Sequence, residues 1–136
     1  MTDFRRVTDH YSVSPQITPG EVAEAARMGF RALINNRPDG EDPAQPAASE
    51  IEAAAEAAGL AYVHIPVRGS PTADQIEAQR AFLASSPAPA LAFCRSGTRS
   101  IVTWSLGEAL AGARSRDQLL SLGAGAGYDL SGVLPE

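Results

Sequence analysis

Ala90-Leu-Ala-Phe-Cys94-Arg95-Ser96-Gly97-Thr98-Arg99-Ser100 joins a short apolar run to a glycine-containing turn, and then to a segment with Val102, Leu106, Ala109 and Leu110 at helical spacing. It reads as strand, loop and helix. A cysteine that ends a strand and is followed at once by such a loop lies at the positive end of the helix dipole, among inward-pointing backbone amides. That is an anion cradle, and the same field favours a nucleophilic thiolate at Cys94. Gly97 permits the backbone angles of the tight loop. Arg99 is placed to hold an oxyanion through two parallel hydrogen bonds, a geometry lysine lacks. Cys94 and Arg99 are therefore the candidate catalytic residues, with Arg95, Ser96, Gly97, Thr98 and Ser100 as the substrate-binding loop. A lone cysteine is most often a buried structural thiol; it is the glycine, the arginine and the strand-to-helix setting together that point to chemistry.

Outward from this segment, Ser or Thr followed three residues later by Glu or Gln marks four helix starts. Thr18 with Glu21, and Pro19 after the cap, opens a helix with Val22, Ala25, Ala26 and Phe30 on its apolar stripe. Ser49 with Glu52 opens a second, carrying Ile51, Ala54, Ala55 and Ala58 and stopped by Gly59. Thr72 with Gln75 opens a third that ends before Pro87, and Ser115 with Gln118 a short fourth to about Leu122, where glycines 123, 125 and 127 break it. Between them, 31–35, 61–67 and 90–93 read as strands, with a strand or hairpin across 4–13. Alternating strands and helices predict an α/β fold with a mainly parallel central sheet flanked by helices. Ligands in such sheets bind beyond the strand C-termini, so the loops 35–45, 67–73 and 94–99 are the ones to examine.

The 136 residues form the expected single unit 1–136, and with 44% hydrophobic residues the chain should fold. Net charge is −5, which argues against nucleic acid as a partner. No apolar run approaches the roughly 20 residues of a membrane span, and residues 1–6 lack a signal-peptide pattern, so a cytoplasmic location is expected. One cysteine and two histidines leave little for a metal site, and all 11 basic residues are arginine, which removes lysine-dependent cofactor chemistry. No metal or cofactor is expected; the partner is a small anion.

The loop Cys94-Arg-Ser-Gly-Thr-Arg99 resembles the active loop of rhodanese sulfurtransferases. Taken with Val13-Ser-Pro-Gln-Ile, Ile34-Asn-Asn-Arg-Pro-Asp-Gly-Glu and Tyr62-Val-His-Ile-Pro-Val, the chain more closely resembles a bacterial family, the phosphatase-like domain of beta-lactamase-hydrolase-like proteins. Such domains occur alone or fused to persulfide dioxygenase-like domains. The resemblance spans residues 4–132 and implies the fold of dual-specificity tyrosine phosphatases.

Three departures bear on the reaction. Tyrosine phosphatases carry the arginine six positions after the cysteine; here Arg99 comes one earlier and Ser100 follows. Phe93 stands where they have histidine, and Arg68 and Gly69 stand where dual-specificity enzymes have a general-acid aspartate. Asp39 and Asp74 are the candidate acids, Asp74 also being suited to the start of its own helix. Lack of a proton donor costs roughly 10²–10⁴-fold for an alkoxide or phenolate leaving group, whereas sulfite needs none. The favoured reading is sulfur transfer from thiosulfate or a persulfide through a Cys94 persulfide to an acceptor thiol, with a persulfide dioxygenase as a possible partner. The alternatives are phosphate-ester hydrolysis through a cysteinyl phosphate and a non-catalytic anion-binding module. Arg37, at a strand end, either reaches the bound anion or orders its loop by pairing with Asp39, Glu41 or Asp42. His64, Tyr62 and Trp104 read as core.

Overall fold

Strand β5 (Ala90–Phe93) lies at the middle of a five-stranded sheet, flanked by β2 (Tyr11–Ser14) on one side and β3 (Ala32–Asn35) on the other, both parallel to it. Outside these lie β1 (Arg5–Arg6), antiparallel to β2, and β4 (Ala61–His64), parallel to β3. This computed structural model describes residues 2–135, so residues 1 and 136 of the expected unit lie outside the described part. Five helices complete the chain: α1 (Pro19–Arg27), α2 (Ala48–Ala58), α3 (Ala73–Ser85), α4 (Thr98–Leu110) and α5 (Arg116–Gly125). The fold is the expected α/β one, with a mostly parallel sheet.

Alternation along the strands separates two cores. Leu33, Leu91 and Phe93 face α1 and α2 and bury Ile17, Val22, Ile51 and Ala55. Ala32, Ile34, Ala90 and Ala92 face the other way, onto Ile101, Trp104 and Leu119 of α4 and α5. With three of those four strand residues alanine, α4 lies close against the sheet.

The capping boxes at Thr18/Glu21, Thr72/Gln75 and Ser115/Gln118 form as expected. The Ser49/Glu52 box does not: α2 begins at Ala48 behind Ala47, and its first amide donates to Asp39 Oδ1 at 2.8 Å. The long loop supplies the cap instead of the adjacent serine. The fourth expected helix also runs past Leu122 to Gly125. Gly123 lies within this helix, and Leu130 occupies space that a Cβ there would enter at 2.6 Å from Leu130 Cδ1.

The stripe expected on α4 is corrected most. Leu110 is 69% exposed, while Ser100, Ile101, Thr103, Trp104, Ser105 and Gly107 are buried. One-sided burial underlies the amphipathic pattern, but α4 is packed against α3, α5 and the sheet. Thr103 and Ser105 tolerate this by donating to Arg99 and Val102 carbonyls of their own helix, at 2.7 and 3.0 Å. Beyond β4, the amides of Ile65 and Val67 still donate to the carbonyls of Asn35 and Asn36, which carries Val67 alongside the end of β3.

Candidate active site

Cys94 directly follows β5 and Gly97 precedes α4, so the segment between them turns back on the thiol. The Gly97 amide donates to Cys94 Sγ at 3.1 Å. Gly97 has φ +90, the left-handed region in which a side chain is strained, and Tyr128 Oη lies 2.1 Å from where its Cβ would be. Cys94 is fully buried at the base of the cradle. Within the loop, Ser96 Oγ donates to Thr98 Oγ1 at 2.9 Å, Gln16 N donates to the Arg95 carbonyl at 3.3 Å, and the Arg95 side chain is exposed at the rim. Ser100 Oγ is buried and has no hydrogen-bond partner among the described residues.

Arg99 opposes the dipole of its own helix, and the compensating charge comes from Glu41. Nη1 and Nη2 donate to the two carboxylate oxygens at 2.8 and 2.9 Å, and Nη1 donates again to the Val67 carbonyl at 2.8 Å. A guanidinium has five N–H groups in a planar fork. Three are used here, and Nε–H with the second Nη2–H forms one edge able to take an oxyanion bidentately. The charge of Cys94 is close enough to help hold Arg99 above its ordinary value, after the larger effect of the Glu41 hydrogen bonds.

Arg37 is the second arginine of the site and is 5% exposed. Its Nε donates to Glu41 Oε1 at 3.0 Å and its Nη1 to Gln16 Oε1 at 3.1 Å; its own amide and carbonyl are held by Asn35 Oδ1 and His64 Nε2. Of the partners open to it in the acidic loop, Arg37 takes Glu41. With Arg99 bonded to both its oxygens and Arg37 behind it, the Glu41 carboxyl is held down to about 2 despite partial burial.

The three strand-end loops thus converge. Arg37 and Glu41 come from the first, the Val67 carbonyl from the second, and Cys94 and Arg99 from the third. Asp39 caps α2, and Asp74 lies in the first turn of α3 inside an intact capping box. Tyr128 was outside every sequence pattern, yet its hydroxyl donates to the Ser96 carbonyl at 2.8 Å. Tyr11, in β2, donates to the Ser100 carbonyl at 2.8 Å and accepts from Gln79 at 3.0 Å, which ties the first turn of α4 to the sheet and α3. Burial raises the phenols of both Tyr11 and Tyr128, and the charge of Cys94 raises them further.

A cysteine cradled at the head of a helix, an arginine in the first turn, and a mostly parallel sheet in the order β1-β2-β5-β3-β4 give this α/β domain the fold of dual-specificity and tyrosine phosphatases. The chain belongs to the family of phosphatase-like domains of beta-lactamase hydrolase-like proteins, whose model matches residues 3–111. A beta-lactamase hydrolase-like protein of Xylella fastidiosa is 39% identical over 125 residues, 91% of this chain. The chain spans 29% of the length of that relative. A candidate phosphatase of Neisseria meningitidis has a structure similar to this one, with TM-score 0.85 and 29% identity, covering 97% of this chain and 94% of that one. Tk-PTP in its active form shares the fold, with TM-score 0.69 at 19% identity over 98% of this chain and 88% of its own. The family description and the Neisseria neighbour both point to a phosphatase-like domain, and they lend the expected sulfur-transfer reading no support.

Proposed function

We propose that residues 1–136 act as one cysteine-dependent hydrolase of phosphate monoesters. The observation that carries this reading is the Gly97 amide on Cys94 Sγ at 3.1 Å, with Arg99 in the first turn of the helix that follows. The thiolate attacks phosphorus, an S–P bond forms, and the ester P–O bond breaks with its electron pair leaving on the alcohol oxygen. Water then attacks the cysteinyl phosphate, the P–S pair returns to Cys94, and inorganic phosphate departs. Arg99 and the loop 95–100 hold the equatorial oxygens, whose charge is fixed by positioned donors rather than by reorganising water. Arg37 acts through Glu41, bracing the carboxylate that orients Arg99.

Proton supply sets the substrate class within this reading. Glu41, held near 2, is ionised at neutral pH, and Asp39 and Asp74 serve their helices. Substrates whose leaving oxygen departs without a proton are therefore favoured, aryl esters over alkyl esters by roughly 10²-fold or more. Hydrolysis of an aryl phosphate should vanish in Cys94→Ser and fall about 10²-fold in Arg99→Lys. Retained turnover in Cys94→Ser would end the proposal. Sulfur transfer is the second reading, favoured by the four-residue spacing between Cys94 and Arg99, which keeps the amides close to sulfur. Thiosulfate in place of the aryl phosphate distinguishes the two.

A further inference from the structure

We propose that Tyr128 is a positioning residue for the nucleophile: by fixing the peptide group between Ser96 and Gly97, it aims the Gly97 amide at Cys94. This rests on the reading of Cys94 as nucleophile, whichever group is transferred. A trans peptide is planar, so its carbonyl and its amide point in opposite directions and turn together. Here both ends of one peptide are engaged. The Ser96 carbonyl accepts from Tyr128 Oη at 2.8 Å, and the Gly97 amide donates to Cys94 Sγ at 3.1 Å. Rotating this peptide would break both bonds at once, so the phenol holds the amide in the orientation that stabilises negative charge on sulfur.

The same approach of the phenol makes a demand on Gly97. Any Cβ there would meet Tyr128 Oη at 2.1 Å, so the approach of the phenol depends on the residue being glycine. The Arg5 guanidinium lies over the ring, 5.2 Å from its centroid, and is itself bonded to Asp3 through Nε and Nη2 at 3.1 and 2.9 Å. An edge strand and the segment after α5 thus meet on the cradle, and Tyr128 lies beyond residues 3–111, the part the family's model matches. Among the described residues, the titratable groups that respond to Cys94 are Arg99 from α4, Tyr11 from β2 and Tyr128 itself.

The chain has one cysteine, so ultraviolet thiolate absorbance reports Cys94 alone. The test titrates that absorbance between about pH 4 and pH 9 in the full chain, in Tyr128→Phe and in Arg5→Met. Tyr128→Phe keeps the ring and its packing but loses the hydroxyl; Arg5→Met loosens the ring but leaves the hydroxyl. Tyr128→Phe should displace the thiolate titration to higher pH by about half a unit or more and cut turnover of an aryl phosphate about tenfold, with Arg5→Met close to wild type. An unmoved titration in Tyr128→Phe, or equal displacement in both variants, overturns the proposal and makes Tyr128 a packing residue. A wild-type chain that hydrolyses no phosphate ester, yet whose titration moves in Tyr128→Phe alone, overturns the phosphatase reading and leaves the positioning role standing.

Discussion

Helices α3 and α4 pack against each other and begin in opposite ways. At the start of α3, Thr72 Oγ1 accepts from the Gln75 amide at 3.1 Å and Gln75 Oε1 accepts from the Thr72 amide at 3.0 Å, so the helix satisfies its own first turn. At the start of α4 the cap is Gly97, which offers no side chain, and its amide goes to a sulfur atom. The first arrangement is worth about 1 kcal/mol in stability. The second forgoes that, and adds an arginine where the helix dipole is positive. A helix start left without a side-chain cap and given a glycine, a thiol and a cation is suited to charge outside the helix, which is why we propose the chemistry at α4 and not at α1, α3 or α5.

Closing the start of α4 to its ligand should have the largest effect. Gly97→Ala forces a side chain into φ +90 and against Tyr128. It should lower stability by roughly 2 kcal/mol and aryl-phosphate turnover by about 10²-fold, read by denaturant unfolding and steady-state kinetics. Wild-type turnover in that variant would mean that the Gly97 amide is not needed at Cys94.

The ion pair that balances α4 should appear next, as a pH effect. Glu41 has its carboxyl lowered from 4.5 to about 2 by Arg99 and then Arg37. A carboxyl depressed in the folded state contributes stability that is present above its unfolded value and is lost as pH falls through its folded value. The melting temperature of the wild type should therefore drop more steeply than that of Glu41→Gln as pH falls from about 5 toward about 2. Parallel curves would separate Glu41 from the stability of the site.

The smallest effect belongs to the self-capped starts. Thr72→Ala should lower stability by about 1 kcal/mol and leave catalysis unchanged, which denaturant unfolding and an activity assay would show together. Lost activity there would erase the contrast between α3 and α4.

What was legible in the sequence was what is local. Three capping boxes, each closed between residues three positions apart, and the strand–loop–helix around Cys94 were readable because neighbouring residues form them. The start of α2 was not, since its cap comes from Asp39, nine residues before Ala48. Glu41 was visible only as a partner for Arg37, four residues away; its bond to Arg99, across 58 residues, depends on the β3 and β5 ends being adjacent. Tyr128 was hidden behind glycines read as the end of a helix, whereas α5 continues through Gly123, which makes room for Leu130. The buried face of α4 escaped the pattern because α3 and α5 cover sides that a surface helix exposes.

The central claim, that Cys94 at the head of α4 takes up a phosphoryl group, is tested most directly by mass spectrometry of the protein quenched in acid during turnover of an aryl phosphate. The account predicts one phosphoryl group on the peptide containing Cys94, absent in Cys94→Ser. A peptide unchanged by aryl phosphate, but carrying one added sulfur after thiosulfate, would contradict phosphoryl transfer and assign the cradle to sulfur chemistry.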